Sequence, residues 1–287
     1  MRVGTIAEIR RYPVKSMQGE RLDAVAIAAD GLRGDRAWAA RDEERGGIEG
    51  ARKLPALLGC TARYREPLGA SGPAPIPEIE LPDGTQLRAD DPEAARRLSD
   101  LTKRRLTLWP RLPADAVGHY RRGAPDHDDL IEELRAIFGR LPDEPLPDLG
   151  AFPAETLSSS TIPGSYFDCY PLFLLTRASL ASLEAAQPAS RFDSRRFRPN
   201  LLLESTAGSG FPENAWVGKR LRVGEAVFEV PMECPRCVMT THAFDDLPKD
   251  PSVMRTLVRE NGGNLGIYAS VAEPGVVRAG DSVEVLG

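Results

Sequence analysis

The stretch RLRVGEAVFEVPMECPRCVMTTHAF, residues 220–244, decides how the second half of the chain is read. RLRVGEAVFEVPM reads as β structure broken by a glycine, and CVMTTHAF, with its β-branched residues and Thr pair, predicts a further strand. Outward from it lie NLLLE, NLGIYASVAEPG and DSVEVLG, three more β segments with turn residues between them, and RENGGNLGIY is a turn into a strand. Upstream, YPLFLLT at 170–176 is a short, fully apolar strand followed by the helix RASLASLEAAQ. Closely spaced β segments favour a barrel or sandwich over a parallel, doubly wound sheet.

The first hundred residues carry strand-like patterns in VGTIAEIRRYPV, RLDAVAIAADGL and DRAWAARD, which predict a β-rich opening module. EPLGASGPAPIPEIELP, 66–82, reads as a loop or edge connection, and DPEAARRLSDLTKR predicts a helix over 91–103 started by Asp91. From about 110 to 163 the chain is irregular and rich in Pro and Asp, with one helical candidate in DHDDLIEELRAIFGR. With 287 residues, 41% apolar and 28% charged, two medium domains are expected. A net charge of -5 gives no uniform basic field for nucleic acid, although the cations are overwhelmingly Arg. MRVGTIAEIRRYPVKS has charges where a signal peptide needs an apolar run, and no apolar stretch reaches membrane-spanning length. The expectation is a cytoplasmic protein with no membrane partner. Its four cysteines argue against a disulfide framework and point to metal binding or a reactive thiol.

Cys234, Cys237 and His242 supply three zinc ligands, whereas a closed structural site takes four, and Cys60 and Cys169 stand alone. A thioredoxin-like dithiol requires a strand-to-helix turn, against the strand expected after Cys237. Both cysteines also read as small buried hydrophobes. Against that, Arg236 adjoins Cys237 and favours its thiolate if the side chains meet. RFDSRRFRPN, 191–200, places Arg191, Arg195, Arg196 and Arg198 within ten positions, either a solvated basic loop or an anion clamp for a phosphate. YPVKS at 12–16 sets Lys15 beside Ser16 at a turn. GLRGDRAW at 31–38 offers the Arg36 fork and a stacking face on Trp38. There is no Walker loop, dinucleotide fingerprint or nucleophile elbow.

Taken in order, YPVKSMQGE, GLRGDRAW, EGARKLP, RFRPNLLLE, the Phe211–Gly218 motif, ECPRCVMTTHAFD and PGVVRAGDSVEVL resemble the MOSC family, named for the C-terminal domain of molybdenum cofactor sulfurase, with its N-terminal β-barrel module. The resemblance implies a mainly β chain with some α: an N-terminal β module over 1–110, an irregular and helical connection over 111–165 and a MOSC β-barrel over 166–287. By motif the chain is similar to amidoxime-reducing components, which reduce N-hydroxylated compounds. This implies a molybdenum cofactor whose metal takes Cys237 as protein ligand, a soft thiolate suited to a sulfur-rich centre. Lys15, Ser16, Arg36, Arg198, Asn200 and Arg236 would form the cofactor cradle, and Asp168 would stand on the substrate side of the metal. Relatives commonly carry Thr-Ser where this chain has Cys169 and Tyr170, and a Ser where it has Pro235. Electrons would come from a separate iron-sulfur, flavin or haem protein. The alternatives are a sulfur carrier or transferase bearing a persulfide on Cys237, and a non-catalytic molybdopterin carrier.

Overall fold

The computed structural model describes residues 1–69, 72 and 74–286. Seven strands close on themselves: β1 (Arg2–Arg11), β2 (Leu172–Thr176), β3 (Leu201–Ser205), β4 (Arg220–Val223), β5 (Ala226–Glu229), β6 (Asn264–Glu273) and β7 (Ser282–Leu286). Around the barrel the order is β2, β3, β1, β7, β4, β5, β6 and back to β2. Only β2 and β3 pair in parallel; every other neighbour is antiparallel. A parallel pair needs a long crossover, and it is made here by the helix α3 (Arg177–Ala186) and the arm that includes RFDSRRFRPN.

Alternate side chains from every strand point inward. Ile6, Ile9, Leu172, Leu174, Leu201, Leu203, Leu221, Phe228, Ile267 and Val283 fill the interior of this small barrel. Gly266, at φ +72°, lets β6 press against β2, because a Cβ there would lie 2.4 Å from the Phe173 ring and 2.5 Å from Leu174 O.

A second core, built on Val14, Met17, Trp38, Leu57, Ile79, Leu98 and Leu106, lies in the N-terminal region. There Trp38–Asp42 pairs with Leu106–Pro110, and α1 (Pro92–Thr102) starts at Asp91, whose side chain accepts from Glu93 N as expected. Residues 2–11, expected with this first module, also serve as a stave of the barrel: β1 bonds to β3 and β7. Ala24–Ala28 likewise pairs with Gly275–Arg278. The middle stretch holds the helix α2 (Leu130–Phe138).

Three local expectations change. CVMTTHAF is not a strand: Val238–Thr241 is a 3-10 turn, because Thr240 N, Thr240 Oγ1 and Thr241 Oγ1 bond back onto the carbonyls of Cys237 and Val238. Within 66–82, Glu78–Glu80 is a central strand between Thr61–Arg63 and Gln86–Arg88; positions 70, 71 and 73 lie outside the described residues. The sequence reading also passed over α4 (Ser252–Asn261), which begins after Pro251 and ends at a left-handed Gly262. Among the described residues no helix is long and apolar enough to cross a membrane.

Glu213 sits fully buried in the Pro212–Trp216 turn and fastens it to the start of α3. Thr176 Oγ1 donates to it at 2.7 Å and Ser179 Oγ reaches both oxygens at 2.7 Å. Burial raises its pKa above the ordinary glutamate value, opposed by these hydroxyls. A raised folded pKa means that folding favours the protonated form, so this contribution is complete below the unfolded value and is lost as pH rises through the folded one. Glu213→Gln should therefore match the parent in urea unfolding near pH 4.5 and become progressively more stable relative to it toward pH 8; a constant difference would contradict this.

Candidate functional site

The pole of the barrel where β1 leaves is built by backbone that most residues avoid. Among the described non-glycine residues five have positive φ, and three of them are Ser16 (+71°), Arg36 (+47°) and Arg198 (+61°). Such left-handed conformations cost energy and gather at functional sites. Each is held by its neighbours. Ser16 Oγ accepts from Ala51 N at 2.8 Å, Arg36 N donates to Tyr12 O at 2.7 Å, and Arg198 caps the Ser194–Phe197 turn.

Three cations converge here. Lys15 Nζ, nearly buried, donates to Tyr166 O at 3.0 Å and Asp168 Oδ1 at 2.7 Å. Burial pulls the Lys15 ammonium below its ordinary value, opposed by Asp168. The Asp168 side chain is 65% exposed. The protein packed around that carboxyl works to raise it, but Lys15 and Arg52 prevail and hold it well below the usual carboxylate range. Arg36 pairs with Asp35. The ring of Tyr12 is the stacking plate, 5.2 Å from the Arg36 guanidinium and 4.2 Å from that of Arg198. Trp38, expected in that role, is buried in the second core. Arg198 donates one nitrogen to Met17 O. Its other terminal nitrogen is buried without a partner among the described residues, and burial draws it down to about 10.

The cysteine pair is asymmetric. Cys234 is 1% exposed within Glu233–Pro235, whereas Cys237, at the entry of the 3-10 turn, is the one half-buried cysteine of the four. Arg236 does not pair with Cys237 as expected: Nη1 donates to Cys234 Sγ at 2.9 Å and Nη2 to Phe197 O at 2.8 Å. The second bond sets the residue before Cys237 against the residue before Arg198. The Arg236 guanidinium stacks 4.7 Å from the Phe173 ring. Burial would lower it, yet the neighbouring Cys234 and Tyr268 keep it above its ordinary value. Asn200 turns both ends of its side chain to backbone, accepting from Phe173 N at 3.2 Å and donating to Arg10 O at 3.3 Å. It locks β1, β2 and β3 under the site.

Among the described residues no group of three or more His, Cys, Asp or Glu stands together to hold a metal ion. The zinc reading of Cys234, Cys237 and His242 fails. The first cysteine of the pair is also no exposed thiol at a helix start, so the redox dithiol lacks its geometry. Reading the sequence alone underrated Tyr12 and Arg52. Arg52 acts on both Asp168 and Lys15, and its Nε is buried without a partner among the described residues.

Residues 162–284 match the family described as the MOSC domain, and residues 3–106 the MOSC N-terminal beta barrel domain. The chain is 26% identical over 302 residues to mitochondrial amidoxime reducing component 2 of Bos taurus, covering 98% of this chain and 83% of that protein. It is 26% identical over 316 residues to the Homo sapiens protein of the same name, with the same coverage. Among solved structures it is similar to the YUAD protein from Bacillus subtilis, with a TM-score of 0.43 and 12% identity over 99% of this chain and 95% of that one.

Proposed function

The chain is a MOSC-domain protein with the MOSC N-terminal β-barrel domain ahead of it, and from that premise we propose that it holds the molybdenum cofactor and reduces N-hydroxylated or other N-oxygenated small molecules. A separate iron-sulfur, flavin or haem protein is the electron donor in this reading. The observation that carries it is the convergence of Ser16, Arg36 and Arg198, all held left-handed, around a buried guanidinium nitrogen with no partner among the described residues.

The residues fit such a group. The cofactor is anionic and its metal centre rich in sulfur; the pole offers unpartnered guanidinium nitrogens at Arg198 and Arg52 and a half-buried thiol at Cys237. When bound, the group would supply the two-electron redox chemistry for reducing the substrate. In this reading Cys237 ligates the metal. Lys15, Ser16, Arg36 and Arg198 grip the anionic portion, and Arg236 and Asn200 hold the cradle's shape from below. Asp168, kept ionised by Lys15, accepts a hydrogen bond from the substrate's N–H and orients it. Because that carboxylate lies open to solvent, water delivers the protons that leave with the departing oxygen.

The test is elemental analysis of protein from a host that makes the cofactor, joined to turnover of an N-hydroxylated amidine with a chemical reductant. Near-stoichiometric molybdenum with amidine as product is expected. Metal-free protein from a host that loads another molybdenum enzyme, inactive in the same assay, would overturn the reading. Metal-free protein with an additional sulfur on Cys237 by mass would point to sulfur transfer instead.

A further inference from the structure

The arginine cluster RFDSRRFRPN, read from sequence as either a solvated basic loop or an anion clamp for a phosphate, divides in two. Arg198 faces the pole. Arg191, Arg195 and Arg196 instead grip one segment of the chain, residues 240–248. Arg196 is 1% exposed and forms no ion pair among the described residues. Its guanidinium donates to four carbonyls: Nε to Arg191 O at 3.1 Å, Nη1 to Thr240 O at 3.3 Å and His242 O at 3.0 Å, and Nη2 to Pro248 O at 2.7 Å. Burial lowers its pKa, opposed by Asp250 and Asp193. A buried guanidinium without a carboxylate is costly, and its rigid fork of donors suits several fixed carbonyls at once.

From outside, Arg191 donates to Asp246 O at 3.0 Å and Oδ2 at 2.7 Å, and Arg195 to Asp246 Oδ1 at 2.9 Å. Asp193 holds Arg195 in place through Oδ1 at 3.1 Å and Oδ2 at 2.8 Å. The link to the thiol is Thr240. Its N and Oγ1 both donate to Cys237 O, at 3.3 Å and 3.1 Å, while its own carbonyl accepts from Arg196.

We propose that Arg196 is a positioning residue for the Cys237 thiol, fixing its turn through Thr240, with Arg191 and Arg195 closing the same segment from the solvent side. The inference rests on the reading of Cys237 as the working thiol. It assigns to three arginines a part that touches neither cofactor nor substrate.

The test uses metal-free full-length protein and iodoacetamide under native conditions, with the modified cysteine located by peptide mass. Cys60, Cys169 and Cys234 are buried, so Cys237 is the thiol that reacts. Arg196→Lys keeps the charge and loses the fork. The double variant Arg191→Gln/Arg195→Gln alters side chains that are 53% and 26% exposed, and so tests the clamp without emptying the core. Alkylation of Cys237 should rise about tenfold in Arg196→Lys and about threefold in the double variant, as a locally opened segment predicts. Amide exchange should quicken over 238–248 and stay at parent rates in the barrel strands. If Arg196→Lys does not fold, the double variant decides. An unchanged alkylation rate in the folded double variant, or faster exchange spread evenly along the chain, would overturn the proposal. Failure of the cofactor reading looks different: protein that never takes up molybdenum, yet shows this reactivity pattern, retains the clamp and loses the cofactor.

Discussion

Cys237→Ala protein from a host that makes the cofactor is expected to carry at least about tenfold less molybdenum than the parent, and its turnover to fall by about a thousandfold or more. The size of the effect follows from the other three cysteines. A sulfur-rich metal centre deprived of its protein thiolate could be rescued only by a thiol that can approach it. Cys234 is 1% exposed and already engaged by Arg236, Cys169 is 5% exposed, and Cys60 lies in the second core. Burial pushes the Cys169 and Cys60 thiols up to about 12, so neither offers a thiolate near neutral pH. Cys234→Ala should keep its metal, which separates ligation from damage to the pair. Full molybdenum content in Cys237→Ala would remove this residue from the metal.

The second large effect contrasts two buried arginines that stand two positions apart. Arg198→Gly is expected to lower cofactor retention at least about tenfold, yet to leave the metal-free protein within about 1 kcal/mol of the parent in urea unfolding. Glycine relaxes a left-handed backbone at the end of a helical turn, and the change removes a buried guanidinium nitrogen that has no partner among the described residues. Those gains offset the lost stack on Tyr12 and the bond to Met17 O. Arg196→Gln should behave oppositely, costing about 3 kcal/mol, because several buried carbonyls lose one common donor. Equal destabilisation by both substitutions would show that Arg198 is there for the fold.

The barrel was legible because its strands carry their own patterns and short turns. The segments that differed did so for two reasons, partners far along the chain and side chains that bond to their own backbone. β1 alternates like any strand, but its partners lie far downstream, at Leu201–Ser205 and Ser282–Leu286, so sequence proximity says nothing of which strands it joins. CVMTTHAF has strand-forming residues, yet the hydroxyls of Thr240 and Thr241 close onto the backbone and turn it. At the site, motif order pointed to Lys15, Ser16, Arg36 and Arg198. What it could not give was direction: that Arg236 faces Cys234, that Asn200 spends its amide on strands, and that Arg196 points away from Arg198. Charge pattern records which side chains are cationic and is silent on the carbonyls that receive them.

Closing the barrel through β1 and β7 also has a consequence for synthesis. Gly4 and Thr5 pair on one side with Ser205 and Glu204 and on the other with Val283 and Ser282, so a chain still emerging from the ribosome holds β1 unpaired on that second side until residues 282–286 are made. Lys15 and Ser16 follow directly on that stave, and Cys237 lies far downstream of it. The barrel beneath the pole therefore closes late in synthesis, and under the proposed reading the cofactor binds only after β7 has been made.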